Sequence, residues 1–307
     1  MTQKPLVVLA EPLFPKLVAE ILKPHARVRI ARDPRHLEVL AEEADAILSL
    51  FCNPIGERLL SKARHLKVIG NVAVGYDNID LKSCRKRGIR VVNTPGVLTR
   101  ATAELTLALL MATARRVPQG EALCRSGRFK GWQPDMLLGL ELQGRRAVLV
   151  GQGRIGSETA RLFHGIGLKV EWITRKTSEA EIRKKLRRAQ ILSLHVPLNR
   201  STRHWLNAKR LALLPHDSIV LNTTRGPIVD EKALIRTLET KRIFGAGLDV
   251  YENEPHIPKR LRRLPNAVLL PHLGSATDQT RHAMAALAIS GILGVLSGKR
   301  PPNEVVF

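Results

Sequence analysis

The sequence predicts an α/β protein of two domains, each built around a parallel sheet. Three observations lead there. At 307 residues the chain is longer than one ordinary domain requires. Short apolar runs alternate with helix-like segments along its length, the pattern of βαβ units. A glycine-rich turn starting at Gly151 then opens a second series of the same kind.

In the first series, residues 6–10, 28–30, 46–50, 68–71 and 90–93 are strand-like, and residues 15–22 are helix-like. Residues 99–116 predict a long helix. No Gly or Pro interrupts it, and apolar side chains occupy nearly every side, as in a helix covered by several neighbours. In the second series the expected strands are 146–150, 170–172, 191–195, 219–222, 246–250 and 268–270. Residues 278–297, rich in Ala and Leu, predict a closing helix.

Composition narrows the class. Hydrophobic residues make up 44% and charged residues 25%, which is the balance of a water-soluble globular chain. Aromatics are only 4%, so the cores must rest on Leu, Val, Ile and Ala. The run at 6–10 is too short for a secretory signal, and no uncharged apolar run reaches membrane length. Cys52, Cys84 and Cys124 are odd in number and widely spaced, which argues against a metal cluster or a disulfide framework. Such thiols suit a reducing cytoplasm.

Charge is the unusual bulk feature. Lys and Arg total 50 against 27 Asp and Glu, a net charge of +23. That excess fits nucleic-acid binding or a basic surface that steers anionic ligands. No nucleic-acid motif accompanies it. The densest cluster, at residues 183–188, fits one exposed helix, so the surface reading is preferred.

The glycine-rich turn carries the first chemistry. Ala147-Val-Leu-Val150 leads into Gly151-Gln-Gly-Arg-Ile-Gly156, and residues 157–163 read as helix. GxGxxG between a strand and a helix is the setting of a dinucleotide site. There Gly151 permits the turn, Gly153 lets a pyrophosphate approach the backbone, and Gly156 lets helix and strand pack closely. The helix N-terminus supplies N–H groups to the phosphates. The next strand ends in Thr174-Arg175-Lys176, with no carboxylate at its tip to take a ribose 2′-hydroxyl. A hydroxyl followed by two cations suits a 2′-phosphate, which makes NADP(H) the expected cofactor and NAD(H) the alternative.

Three further strand ends carry polar groups: Arg225 after 219–222, Glu254 after 246–250 and His272 after 268–270. Ligands bind at carboxyl ends of parallel strands. A guanidinium can clamp a carboxylate through paired hydrogen bonds. A histidine can give a proton to a ketone oxygen, and a glutamate can orient that histidine and favour its charged form.

At these segments the chain strongly resembles the D-isomer-specific 2-hydroxyacid dehydrogenases. The matching blocks run in order: Asn71-Val-Ala-Val-Gly-Tyr-Asp-Asn-Ile-Asp80, Gly151–Gly156, Ser193-Leu-His-Val-Pro-Leu198, Asn222-Thr-Thr-Arg-Gly226, Gly245-Ala-Gly-Leu-Asp-Val250, Glu252-Asn-Glu-Pro255 and Pro271-His-Leu-Gly-Ser-Ala-Thr277. Together they cover nearly the whole chain. Within the family it is most similar to glyoxylate/hydroxypyruvate reductases, through Ala73–Asn78, Gly131-Trp-Gln-Pro134 and the Thr-Arg-Lys tip.

The resemblance implies a fold of two Rossmann-like domains, a flavodoxin-like substrate domain (1–97 and 276–307) and an inserted NAD(P)-binding domain (98–275). It implies reduction of a small anionic 2-keto acid to the D-2-hydroxy acid, in the cleft between them. Arg225 would bind the substrate, His272 would be the proton donor and Glu254 would hold His272. Backbone N–H groups of Val74 and Gly75 would complete the carboxylate site, and Leu50 and Phe51 would line the pocket. Cofactor contacts would include Arg154, Ile155, His195, Val196, Pro197, Thr202, Thr223, Thr224, Asp249, His272 and Gly274. A homodimer is implied, and Trp132 of one subunit would reach its neighbour's active site, unless it is an ordinary core Trp.

One departure is visible. The family carries an extra strand and turn between the cofactor tip and the following helix, and about fifteen residues of it are missing after Lys176. The expectation is a cofactor sheet lacking one outer strand, with a more open adenine end. Two other functions remain in view. The Gly131-Trp-Gln-Pro134 stretch also resembles phosphite dehydrogenases of the same family, and dinucleotide-sensing corepressors related to it retain the Arg–Glu–His set.

Overall fold

The computed structural model describes residues 4–307; Met1–Gln3, with which the expected substrate domain begins, lie outside the described residues. The chain divides into two compact units, one of Met1–Leu98 with Ser275–Phe307 and one of Thr99–Gly274.

The first unit holds five parallel strands, β1 (Leu6–Leu9), β2 (Arg27–Ile30), β3 (Ala46–Ser49), β4 (Val68–Asn71) and β5 (Arg90–Val92), ordered β2-β1-β3-β4-β5. That is the flavodoxin-like order, and ligands in it bind beyond the strands' carboxyl ends. β1, β3 and β4 are buried throughout, as expected of strands covered on both faces. β2, at the edge, is mostly exposed. The helix Asp278–Leu296 packs on β4. Gly70 makes that approach possible, because a Cβ there would lie 2.6 Å from Ile292 Cδ1. The helix expected at 15–22 is present in altered form. After Pro15–Leu17 it widens into a π-helical turn, Val18–Leu22, closed by the Lys23 N–H on the Val18 carbonyl.

The second unit holds six parallel strands, β6 (Arg146–Val150), β7 (Lys169–Ile173), β8 (Ile191–Leu194), β9 (Ile219–Asn222), β10 (Gly245–Leu248) and β11 (Ala267–Leu269). Their order is β11-β10-β9-β8-β6-β7. The chain leaves β6 for β7 on one side and returns to β8 on the other, so the topological switch lies at the carboxyl ends of β6 and β8. This is the position at which doubly wound sheets bind nucleotides. The helix Thr99–Ala114 crosses β9 and β10 and lies against the helix Arg154–Gly165. Its Leu109 and Leu110 are fully buried, whereas Met111 is exposed, so the coverage expected on several sides stops there.

β7 is an edge strand. A four-residue turn, Thr174 to Thr177, leads into the helix Glu179–Leu186, whose start is closed by a capping box between Ser178 and Glu181. Ile182 and Leu186 face the core. Lys185 Nζ donates to the Trp172 carbonyl at 2.7 Å, and Arg188 and Arg146 both pair with Glu171. These contacts occupy polar groups that an edge strand would otherwise present. Arg183, Lys184 and Arg187 of the basic cluster point outward. Among the described residues no helix is long and apolar enough to cross a membrane.

Candidate active site

The glycine-rich turn follows β6. Gly151 takes φ +103°, and a Cβ there would stand 2.3 Å from the His195 carbonyl oxygen. Gly156 is as constrained, since its Cβ would meet the Gly151 carbonyl at 2.2 Å. Gly153 differs: nothing lies within 4 Å of where its Cβ would be. Two glycines are therefore dictated by the protein's own packing, and the third leaves open room. Gly153 also starts the helix Arg154–Gly165, and no side chain caps that start. The first-turn N–H groups, including those of Arg154 and Ile155, thus face a position where a pyrophosphate fits.

Beyond β7, the Thr174 N–H donates to Thr177 Oγ1 and the Lys176 N–H to Thr174 Oγ1. The Thr174 hydroxyl thus serves the turn, and Arg175 and Lys176 are left exposed at its tip. After β8, His195 is buried and its Nε2 sits 2.8 Å from Ser193 Oγ. Burial alone brings its pKa down to about 3, so the ring is neutral. Its Nδ1 is buried with no hydrogen-bond partner among the described residues. Thr202 closes the loop over Pro197, donating to its carbonyl at 2.6 Å and accepting from the Asn199 N–H. Val196 and Pro197 lie at the rim of the glycine turn, with Val196 Cγ1 2.9 Å from where a Gly151 Cβ would stand.

After β9, Asn222 builds the turn that presents Arg225. Its Oδ1 accepts from the N–H and hydroxyl of Thr224, and its Nδ2 donates to the Arg225 carbonyl. Thr223 meets Thr106 hydroxyl to hydroxyl at 2.9 Å. Gly226 then lies flat against the next strand's loop: a Cβ would be 1.8 Å from the Tyr251 carbonyl carbon.

After β10, Asp249 is fully buried and accepts the N–H groups of Leu273 and Gly274 at 2.6 and 2.8 Å. Burial raises its pKa, against the lowering effect of these bonds and of nearby His272. The Gly274 carbonyl accepts from Thr102. The Asp249 carbonyl accepts the His272 N–H, and His272 itself takes φ +56°, a left-handed conformation that is uncommon outside Gly and that His tolerates better than most residues. The loop is thus pinned at each of Asp249's oxygens so that His272 is held out from the sheet.

His272 Nδ1 lies 2.8 Å from Glu254 Oε2. A carboxylate can only accept, so Nδ1 carries the hydrogen in this pair. Glu254 Oε1 accepts the Tyr251 N–H at 3.0 Å. Burial raises the Glu254 pKa, but the bond and charge of His272, the Tyr251 N–H and the Arg225 charge together hold it below its ordinary 4.5. A depressed folded value means that ionised Glu254 stabilises the fold above pH 4.5. That contribution is lost only as pH falls through the lowered value.

In the first unit, Leu50 and Phe51 follow β3, and Val74 and Gly75 follow β4. The Ala73 carbonyl accepts the Thr94 N–H, and the Val74 carbonyl accepts Asn93 Nδ2 at 2.8 Å. A trans peptide sets N–H opposite C=O, so the Val74 and Gly75 N–H groups turn away from those partners. Asn71, Asn78 and Asn93 maintain this loop and Leu50. They carry no chemistry of their own, so a search for catalytic residue types passes over them; their only signal is polar side chains ending buried strands. Trp132 is 77% exposed, which excludes the core-Trp reading within this chain.

The family model "D-isomer specific 2-hydroxyacid dehydrogenase, NAD binding domain" matches residues 107–274. A glyoxylate reductase of Thermococcus litoralis is 44% identical over 277 residues, covering 86% of this chain and 84% of the relative. Another, of Aeropyrum pernix, is 39% identical over 324 residues and covers 99% of this chain and 96% of the relative. Since that alignment is longer than the chain's 307 residues, this chain carries gaps within it. A structure of an NADPH-dependent glyoxylate/hydroxypyruvate reductase of Sinorhizobium meliloti, in complex with NADP and malonate, superimposes with a TM-score of 0.91 at 32% identity. It covers 99% of this chain, which in turn covers 97% of it. A Thermus thermophilus protein gives a TM-score of 0.92 at 41% identity, with 98% of this chain and 100% of that one covered.

Proposed function

Because this chain belongs to the D-isomer-specific 2-hydroxyacid dehydrogenases and reduces a keto acid with NAD(P)H, we propose that its substrate is glyoxylate or hydroxypyruvate and its preferred cofactor NADPH. The observation that carries this reading is the His272–Glu254 pair, a histidine whose ring is oriented by a carboxylate at 2.8 Å, the arrangement used by a general acid to a carbonyl.

The bound dinucleotide supplies hydride to the keto carbon. The residues that would hold it are the N–H groups of Gly153 to Gly156, Arg175 and Lys176 at the adenosine end, and the loops of His195–Thr202, Thr223–Thr224 and Asp249. Arg225 binds the substrate carboxylate and keto oxygen. His272 Nε2 delivers the proton to the keto oxygen. Glu254 keeps the ring's tautomer and stabilises its charged form. The same roles run in reverse for oxidation.

Steady-state rates with NADPH and NADH on glyoxylate, hydroxypyruvate, pyruvate and phenylpyruvate test the reading directly. We expect the highest kcat/KM with NADPH on the two smallest oxygenated acids. Replacing both Arg175 and Lys176 by Ala should raise KM for NADPH about tenfold or more while leaving that for NADH nearly unchanged, since each charge-assisted contact contributes roughly 1.5–3 kcal/mol. Turnover with NADH alone would remove the NADPH assignment. Silence on all four acids, with phosphite oxidised or with salt-dependent DNA retention instead, would replace the substrate reading.

A homodimer is part of the proposal. Its support is a run of exposed apolar side chains between Met111 and Leu138, with Val117, Phe129 and Trp132 each at least half exposed. Single exposed apolar residues are ordinary, but several along one stretch of chain support the reading that this stretch meets a second copy. On this reading Trp132 contributes to the partner's site. Sedimentation should show twice the 34.1 kDa chain mass, and a monomer at micromolar concentration would end that part of the proposal. Cytoplasmic residence is proposed from the composition and would be checked by cell fractionation.

A further inference from the structure

Tyr251 is one of two tyrosines in a chain short of aromatics, and it is buried beside the proton-transfer pair. Its main-chain N–H donates to Glu254 Oε1 at 3.0 Å. Its hydroxyl donates to the Leu270 carbonyl at 2.8 Å, two residues before His272. The Leu248 carbonyl is a second, longer partner at 3.4 Å. One residue therefore links the end of β10 and the end of β11 through its phenol and the glutamate that orients the histidine through its main-chain N–H.

The need for such a link follows from the backbone. His272 stands in a left-handed conformation, which is uncommon outside Gly even though His adopts it more readily than most residues. On one side the Asp249 carbonyl and carboxylate hold residues 272 to 274. On the other side, among the described residues, the Leu270 carbonyl is fixed by the phenol. A buried phenol makes a good tether because its ring is locked by packing and its O–H needs a partner. Burial, with the Asp249 and Glu254 charges next, pushes its pKa far up, so it stays a donor at every working pH.

We propose that Tyr251 is a positioning residue of the proton-transfer pair, its N–H fixing Glu254 and its phenol fixing the strand end that presents His272. This rests on reading His272 as the proton donor. The other charged groups close to the pair are Arg225 after β9, Asp249 after β10 and Glu231 at the start of the helix Glu231–Glu239.

The test is Tyr251→Phe, which removes one oxygen and keeps the ring, compared with Glu254→Gln and the double variant. Two readouts are used: kcat for keto-acid reduction, and the titration of the Glu254 carboxyl followed by carbon-13 NMR. Tyr251→Phe should lower kcat about two- to tenfold, the rate equivalent of one hydrogen bond, with KM for the cofactor unchanged. The Glu254 titration should move upward, because a displaced His272 supports its charge less well. In the double variant, kcat should equal that of Glu254→Gln alone. A fall in melting temperature with the Glu254 titration unmoved would overturn the proposal, as would losses of kcat that multiply in the double variant. If the wild type reduced no keto acid, the substrate reading would fall, yet the Glu254 titration in Tyr251→Phe would still decide the role of Tyr251.

Discussion

Replacing His272 with Ala is expected to lower kcat for keto-acid reduction by about 10²–10⁴-fold, the usual contribution of a positioned general acid. The structure explains why no neighbour takes over. The carboxylates nearby, Glu254 and Asp249, are both engaged in bonds that hold the loop and the ring. The Tyr251 phenol donates to a main-chain carbonyl and is too weak an acid in its buried setting to serve. The left-handed backbone at 272 suits Ala only slightly less well than His, so the substitution adds little strain. Melting temperature and cofactor binding should therefore stay close to wild type. Removing the ring strands Glu254 without its main partner, so its carboxyl should titrate higher than in the wild type. A variant that kept a tenth of wild-type kcat would show that water or another group delivers the proton, and would remove His272 from the mechanism.

How far the sequence discloses this site depends on what kind of residue is asked for. Side chains with intrinsic chemistry were legible, because Arg225, Glu254 and His272 each follow a recognisable buried strand. The two sheets were legible as well, since strands covered on both faces read as apolar runs. The edge strand β7 reads one residue short at each end; the charged, exposed Lys169 breaks the apolar pattern, whereas the buried Ile173 continues it and gives no such reason. The helix Val117–Arg125 was not anticipated: it carries a Pro near its start and no buried residue, so neither periodicity nor capping announces it. Positioning residues were the least legible. Asn71, Asn93 and Tyr251 act through main-chain atoms of residues brought near by the fold, and nothing local in the sequence encodes which carbonyl a buried Asn or Tyr will meet. The glycines fall between. GxGxxG is a pattern, but only the structure separates Gly151 and Gly156, which the protein's own backbone requires, from Gly153, where space is left for a ligand.

Gly226→Ala is expected to be as damaging as the loss of a catalytic side chain, although Gly226 has no chemistry. The added Cβ would stand 1.8 Å from the Tyr251 carbonyl carbon, 1.9 Å from its oxygen and 2.4 Å from the Glu252 nitrogen. All three are backbone atoms, so no rotamer change relieves the overlap, and one of the two loops must move. Forcing atoms into packed space costs about 1–3 kcal/mol where side chains can yield, and more where the backbone must. At about 2–4 °C per kcal/mol for a unit of this size, the melting temperature should fall by roughly 6 °C or more. The loops concerned are the ones that carry Arg225 on one side and Tyr251 to Glu254 on the other. A shift of either separates the carboxylate clamp from the proton-transfer pair, so kcat/KM should fall at least about a hundredfold, the cost of misplacing reacting groups by about an ångström. The KM for the cofactor should rise less, because the glycine turn at 151–156 follows β6, away from this contact, and only the Thr223–Thr224 and Asp249 contacts lie on the loops that move. Differential scanning calorimetry and steady-state kinetics on the same preparation would check both halves. An alanine variant with wild-type melting and wild-type kcat/KM would show that the two loops are not in the close contact from which the geometry of Arg225 and Glu254 has been argued.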